Sequence, residues 1–179
     1  RLDRPVSGVT IFARTSKALT RMNQLFADRK VQKTYMAIVN SRPNDAGEKL
    51  VDYILKDSKK NKVRVFDTQR YKDAKKAELS YEMLAELGGH FLLKVKPKTG
   101  RPHQIRGQLA KIGCPIRGDK KYGSIHHQRL GGIHLHSYAL SFEHPVKKEP
   151  ITITSLPPNE QVWNMFNDYT KPDKKKGKK

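Results

Sequence analysis

The chain of 179 residues has little cysteine, little acid and no long apolar run. It contains one cysteine, Cys114, and one tryptophan, Trp163. A lone thiol closes no internal disulfide, which fits a reducing compartment and a cytoplasmic setting. It also removes the cysteine-based zinc modules. No stretch approaches the ~20 apolar residues needed to cross a bilayer, and no secretory leader is visible. A phosphate-binding P-loop, a dinucleotide-binding glycine fingerprint and a Gly-x-Ser-x-Gly elbow are all missing. Acids number 17 against 37 Lys and Arg. They are scattered and mostly flanked by lysine, unlike the paired carboxylates that hold two metals in a nuclease.

What is abundant is positive charge. The formal net charge is +20, and the pI is near 10.1. The last nine residues, KPDKKKGKK, hold six lysines and one aspartate, so most of the excess belongs to the rest of the chain. Such a field favours polyanions, above all nucleic acid. No basic amphipathic helix with bulky apolar anchors is present, so a membrane surface is disfavoured. With 36% hydrophobic residues the chain suffices for one domain with its own core.

Along the chain, GVTIFAR (8–14) reads as a short buried strand. A helix follows over 15–30, with Thr15 or Ser16 as N-cap and Leu19, Met22, Leu25 and Phe26 at helical spacing. KTYMAIV (33–39) is strand-like, and 50–87 alternates strands with basic loops. HFLLKVKP (90–97) is another strand, broken by TGRP. HQIRGQLAKIG then reads as a helix with Ile105, Leu109 and Ile112 on one face and Gly113 as its stop. HSYALSFEHP and EPITITS are two further strands. NEQVWNMFNDY closes the domain as one helix with Val162, Met165, Phe166 and Tyr169 on a shared face. The expected class is α+β, a mixed and mostly antiparallel sheet flanked by helices. The domain is expected over 1–169, followed by a basic, disordered tail over 170–179.

Two sets of residues invite a chemical reading. His126 and His127 are adjacent, while His134 and His136 alternate along a strand. No third metal ligand stands at a persuasive spacing, so structural histidines are expected. In RLDRPVSG, Asp3 lies between Arg1 and Arg4. A carboxylate among guanidiniums is expected to be ionised, fit for a salt-bridge strut, a general base or a nucleophile, but not a general acid. Taken singly, Asp3 reads as a strut, Tyr35 as a strand-core aromatic and Arg106 as a solvated helix residue. Tyr122 reads as structural, and Gly118 and Gly123 as turn positions.

Four segments together say more. RLDRPVSGVTIFAR, KTYMAIV, TGRPHQIRGQLAKIGCPIRGDKKYG and LHSYALSFEHP occur in this order. As a set they resemble the catalytic domain of the RluA-type pseudouridine synthases, which isomerise uridine in ribosomal and transfer RNA. The resemblance runs from Arg1 to about Phe166. It implies the pseudouridine synthase fold, an enzyme without cofactor or metal, and RNA as the partner of a monomeric, membrane-free protein. It further implies Asp3 as the catalytic carboxylate, Tyr35 as the ring against the target uracil, and Arg106 as the ion-pair partner of Asp3. Arg1 is implied to help displace the base. Arg4, Lys33, Arg101, His103 and Gln104 are the remaining residues implied to contact RNA or support the site.

Uridine isomerisation breaks the N-glycosidic bond, turns the base and rejoins it through C5, with no redox change. An ionised carboxylate can attack C1′, take a proton at C2′ or add at C6, and the residues alone do not choose among these routes. A base drawn from its stack also needs a new ring to lie on.

The chain departs from the family's pattern in a few places. The signature histidine and earlier strands are expected before Arg1, which implies an N-terminally truncated domain. Val6 stands where threonine is usual, and Gly107-Gln108 stands where Val-His often follows, a change expected to loosen that helix. Two other readings are a basic RNA-binding module of the same fold without activity, and, more weakly, a histidine-metal nuclease.

Overall fold

The computed structural model describes residues 2–126 and 132–171. Arg1, His127 and residues 172–179 of the expected tail therefore lie outside the described residues. Eight strands form one sheet: β1 (Ser7–Gly8), β2 (Gln32–Val39), β3 (Gly47–Asp57), β4 (Lys62–Phe66), β5 (Lys75–Leu87), β6 (His90–Pro97), β7 (Leu135–Glu143) and β8 (Pro150–Thr154). Their order is β1-β7-β2-β6-β5-β3-β4, with β8 also on β7. Only β1–β7 is parallel; every other pairing is antiparallel. The mixed, mostly antiparallel sheet thus matches the expectation. The β5–β6 hairpin turns on Gly88 and Gly89, both at positive φ, the backbone a tight two-residue turn requires.

Alternation along β2 splits the core into two layers. Ala37 and Val39 join Leu79, Leu93, Ile105, Leu109 and Ile116 on one face. Met36 and Ile38 point the other way and pack with Leu92, Trp163 and Phe166. Helix α2 (Gln104–Lys111) therefore lies on the first face, as its Ile105 and Leu109 predict. Gly107 does not loosen it. A Cβ there would meet Val63 and Val65 methyls at 2.9 and 3.0 Å, so the glycine lets the helix sit down on β4. Gln108 is fully buried and donates to Asp52 at 2.6 Å.

Two expectations need correcting. The strand over 8–14 is reduced to Ser7–Gly8; beyond it the chain leaves the sheet and Phe12 is 86% exposed. Its β-forming residues find no further ladder partner, and pairing outranks propensity. Helix α1 (Ser16–Ala27) forms as expected with Thr15 as N-cap, and none of its residues is buried. The closing segment is two short helices, α3 (Gln161–Asn164) and α4 (Asn167–Thr170), not one. Trp163 turns inward against the His134 and His136 rings, leaving Met165 and Tyr169 exposed. Thr170 is buried in that last turn.

Those two histidines are structural. His134 hydrogen-bonds Glu160 at 3.0 Å and the Arg117 carbonyl at 3.3 Å. His136 Nε2 donates to the Ser155 carbonyl at 2.9 Å, so its Nδ1 accepts from the Ser7 hydroxyl at 2.8 Å. Among the described residues no group of three potential ligands could hold a metal. No described helix is long and apolar enough to cross a membrane.

Candidate active site

The amino-terminal turn is bolted to β7. The Val6 amide donates to the Asp3 carbonyl, the Ile133 amide to the Pro5 carbonyl, and Ser7 holds His136. Gly8 sits at φ +117°, where a Cβ would fall 2.3 Å from the Ser137 carbonyl oxygen. Only glycine permits so close an approach between β1 and β7. The turn delivers Asp3 to the amino end of α2, with its side chain 30% exposed.

There Arg106 Nη1 donates to Asp3 Oδ2 at 3.2 Å across 103 residues of sequence. The rest of that guanidinium is committed. Its Nε and Nη2 donate to the two oxygens of Asp119 at 2.6 and 2.9 Å, a bidentate pair in which both side chains are buried. Burial works against the charge on Arg106, but Asp119 and then Asp3 outweigh it, so its pKa is raised and it stays a cation. Among the described residues the cation paired with Asp3 is thus a distant arginine, and Arg4 is exposed at the rim. The Tyr122 ring lies under Arg106, 5.1 Å from Cζ. Its hydroxyl accepts from the Val63 amide and meets His103 Nδ1 at 2.9 Å. His103 Nε2 is 3.8 Å from Asp3. Burial, and then the charge of Arg106, pull His103 below its ordinary value, so it faces Asp3 as a neutral ring.

Asp3 and Arg106 open onto a cleft of about 280 Å³, which also exposes Tyr35, Lys33, Arg101 and apolar atoms of Val6, Ile105 and Leu135. That is near the lower end of the ~300–1,000 Å³ common for small-molecule sites. Burial, with the charge of Asp3 adding to it, raises the Tyr35 pKa, so its hydroxyl keeps its proton at neutral pH. Lys33 donates to the Thr99 carbonyl at 3.1 Å, and burial lowers its pKa. An adjoining groove is rimmed by Arg4, Lys56, Arg101 and Lys121.

Asp3, Tyr35, Lys33, Arg101, His103 and Arg106 therefore converge on one site, with Arg4 beside it. Gln104 is different. It is buried, and its amide is used up inside the fold by the Thr99 hydroxyl, the Arg101 amide and the Glu78 carbonyl, so it braces the loop instead of facing solvent. Asp119 was missed. Its neighbours in GDKKYG suggest a solvated turn; the signal was the pair of glycines, Gly118 and Gly123, both at positive φ, which fold that turn inward.

Residues 1–111 match the family model described as RNA pseudouridylate synthase. The chain belongs to that family. It is 36% identical over 187 residues to the tRNA pseudouridine synthase C of Haemophilus influenzae, covering 94% of this chain and 77% of the relative. It is 35% identical over 144 residues to the ribosomal large subunit pseudouridine synthase D of Borreliella burgdorferi, covering 80% of this chain and 43% of that one. The solved structure of human RNA pseudouridylate synthase domain containing 4 superposes with a TM-score of 0.75 at 24% identity, over 92% of this chain and 72% of the other, a likeness of fold. This chain is accordingly an RNA pseudouridine synthase, an isomerase whose substrate is RNA.

Proposed function

We propose that this synthase isomerises uridine in transfer RNA, with Asp3 as its essential carboxylate. The observation that carries the reading is the 3.2 Å pair of Asp3 with the buried Arg106 at the mouth of a cleft that also holds the Tyr35 ring. Arg106, fixed by Asp119, aims the Asp3 carboxylate at the sugar or base of a uridine brought into the cleft. Tyr35 supplies the surface on which the extruded uracil lies, and its protonated hydroxyl stands ready as a hydrogen-bond donor. Arg4, Lys33 and Arg101 face the backbone of the RNA, while Gln104 supports the loop that carries Arg101. The enzyme acts as a monomer in the cytoplasm, without a cofactor. Transfer RNA is favoured by the likeness to a tRNA pseudouridine synthase over 94% of this chain. Ribosomal RNA is the second reading, since a ribosomal enzyme is nearly as similar over a shorter span.

The test is release of tritium from RNA labelled at uridine C5. Release from tRNA, abolished by Asp3→Asn while the thermal midpoint holds, supports the proposal. Release only from ribosomal RNA transfers the activity to the second substrate. Tight binding with no release from either RNA would leave a binding module of the same fold.

A further inference from the structure

Strand β4 ends the sheet, and its alternate residues face opposite ways. Val63 and Val65 pack on Gly107 of α2, so Arg64 and Phe66 project from the other side of the strand. There they meet the segment that follows. The Phe66 and Tyr71 rings lie 5.2 Å apart. The Arg64 guanidinium sits 5.1 Å from the Phe66 ring and 5.5 Å from that of Tyr71, and Arg70 caps Phe66 at 5.9 Å. Two cations thus share one ring. Neither forms a salt bridge with a carboxylate among the described residues; Asp67, the acid between them in sequence, is paired with Lys111 and feels the charge of Arg70 only from further off. Residues 56–76 hold nine basic residues against three acids.

Like charges held this close to one ring repel, and an anion placed between them relieves the repulsion. The guanidinium fork matches phosphate geometry. Tyr71, 43% exposed, leaves ring surface free beside it. Alternating cations and ring faces are what an unpaired nucleic-acid strand needs: charge for its phosphates and flat surface for its bases. The near end of the same strand borders the active site, although the patch itself lies on the face turned away from α2. Lys62, at the start of the same strand, lies 5.2 Å from the Tyr122 ring that underlies Arg106. At ~3.3 Å per residue, Phe66 is about 13 Å further along, within reach of a few nucleotides.

We propose that Arg64, Phe66, Arg70 and Tyr71 form an accessory platform for an unpaired segment of the substrate RNA that flanks the target uridine. The proposal rests on RNA being the substrate. Arg64 and Arg70 take phosphates, and Tyr71 stacks a base. Rejection of double-stranded flanks follows, because a paired base offers no free face.

The test uses the full chain and a fluorescent RNA hairpin, with and without an unpaired oligouridine arm at its 5′ or 3′ end. In the parent protein one of the two arms should tighten binding on the order of 10-fold, a single stacked base with its phosphates. Arg64→Gln with Arg70→Gln should remove that advantage and lower the slope of log affinity against log salt by about 1 to 2. Tyr71→Ala should remove most of it, and Tyr71→Phe should restore it, since stacking needs the ring and not the hydroxyl. Thermal midpoints establish that each variant is folded. An arm advantage that survives in the double variant overturns the proposal. So does an equal loss for the armless hairpin, which marks diffuse charge only, or a loss confined to vesicles of anionic lipid, which marks a membrane contact. Tritium release from tRNA is scored separately, so failure of the platform and failure of the catalytic reading are distinguishable.

Discussion

Replacing Asp119 with asparagine isolates the device that holds Arg106. The carboxylate is 1% exposed and accepts two guanidinium bonds, at 2.6 and 2.9 Å, from a side chain that is itself 5% exposed. Asparagine keeps the size but removes the charge and turns an NH₂ group against the guanidinium. Breaking a buried ion pair by deleting one partner costs about 3–5 kcal/mol, because the remaining charge is left without compensation. For a domain of this length that corresponds to a fall in Tm on the order of 10 °C. The effect on rate is separate. Among the described residues Arg106 then keeps only Asp3 as an anionic partner and shifts toward it, carrying the carboxylate out of line, and misplacement by ~1 Å costs about 100-fold. The assays are thermal unfolding and single-turnover tritium release. A cycle with Arg106→Lys adds the decisive contrast. Lysine cannot bridge both carboxylates, so Asp119→Asn should cost little more in that background. Additive losses, or a single variant within about 0.5 kcal/mol of the parent at the parent rate, would refute the idea that Asp119 sets the position of Arg106.

Gly107→Ala should destabilise the protein by about 1 kcal/mol: the helix gains ~1 kcal/mol in propensity but the new methyl overpacks stiff valine methyls at a cost of ~1–3. Combined with Val63→Ala, which opens the contact at 2.9 Å, it should cost less than the sum of the two single changes, as read by denaturant unfolding. His136 offers a test by pH. Burial holds its pKa below the ordinary 6.5, opposed in part by the bond to Ser155, so the unfolded chain binds the proton first. Its contribution is therefore complete above about pH 6.5 and is lost as the pH falls below that. The parent Tm should drop between about pH 7 and pH 5.5, and His136→Gln should flatten that drop; an unchanged slope would mean that the ring is already charged in the fold.

Much of the site was legible before any coordinates. Asp3, Tyr35 and Arg106 lie in separate segments and read singly as structural; the resemblance of four ordered segments to a known family singled them out, the fold lines one cleft with all three, and the excess of lysine and arginine pointed to nucleic acid. Hydrophobic periodicity placed α2 against the core, and the β-branched and apolar runs at 33–39 and 90–97 marked two of the strands. The errors share a cause. Residues 8–14 and the closing helix were read from local pattern, but a strand exists only where a partner supplies its ladder, and an apolar stripe is buried only where something covers it. Gln104 and Asp119 look like polar surface residues in one dimension. Their neighbours along the chain do not reveal that Gln104 is spent on Thr99 and Glu78, or that Asp119 grips Arg106.

What the chain determines alone is composition and local spacing: the charge that selects a polyanion, the residue types that suit carboxylate chemistry, and the periods that name strands and helices. What only the tertiary structure decides is partnership. A side chain's direction and its partners far along the chain follow from sheet order and helix docking, and these brought a guanidinium 103 residues away to Asp3 and a second carboxylate in behind it.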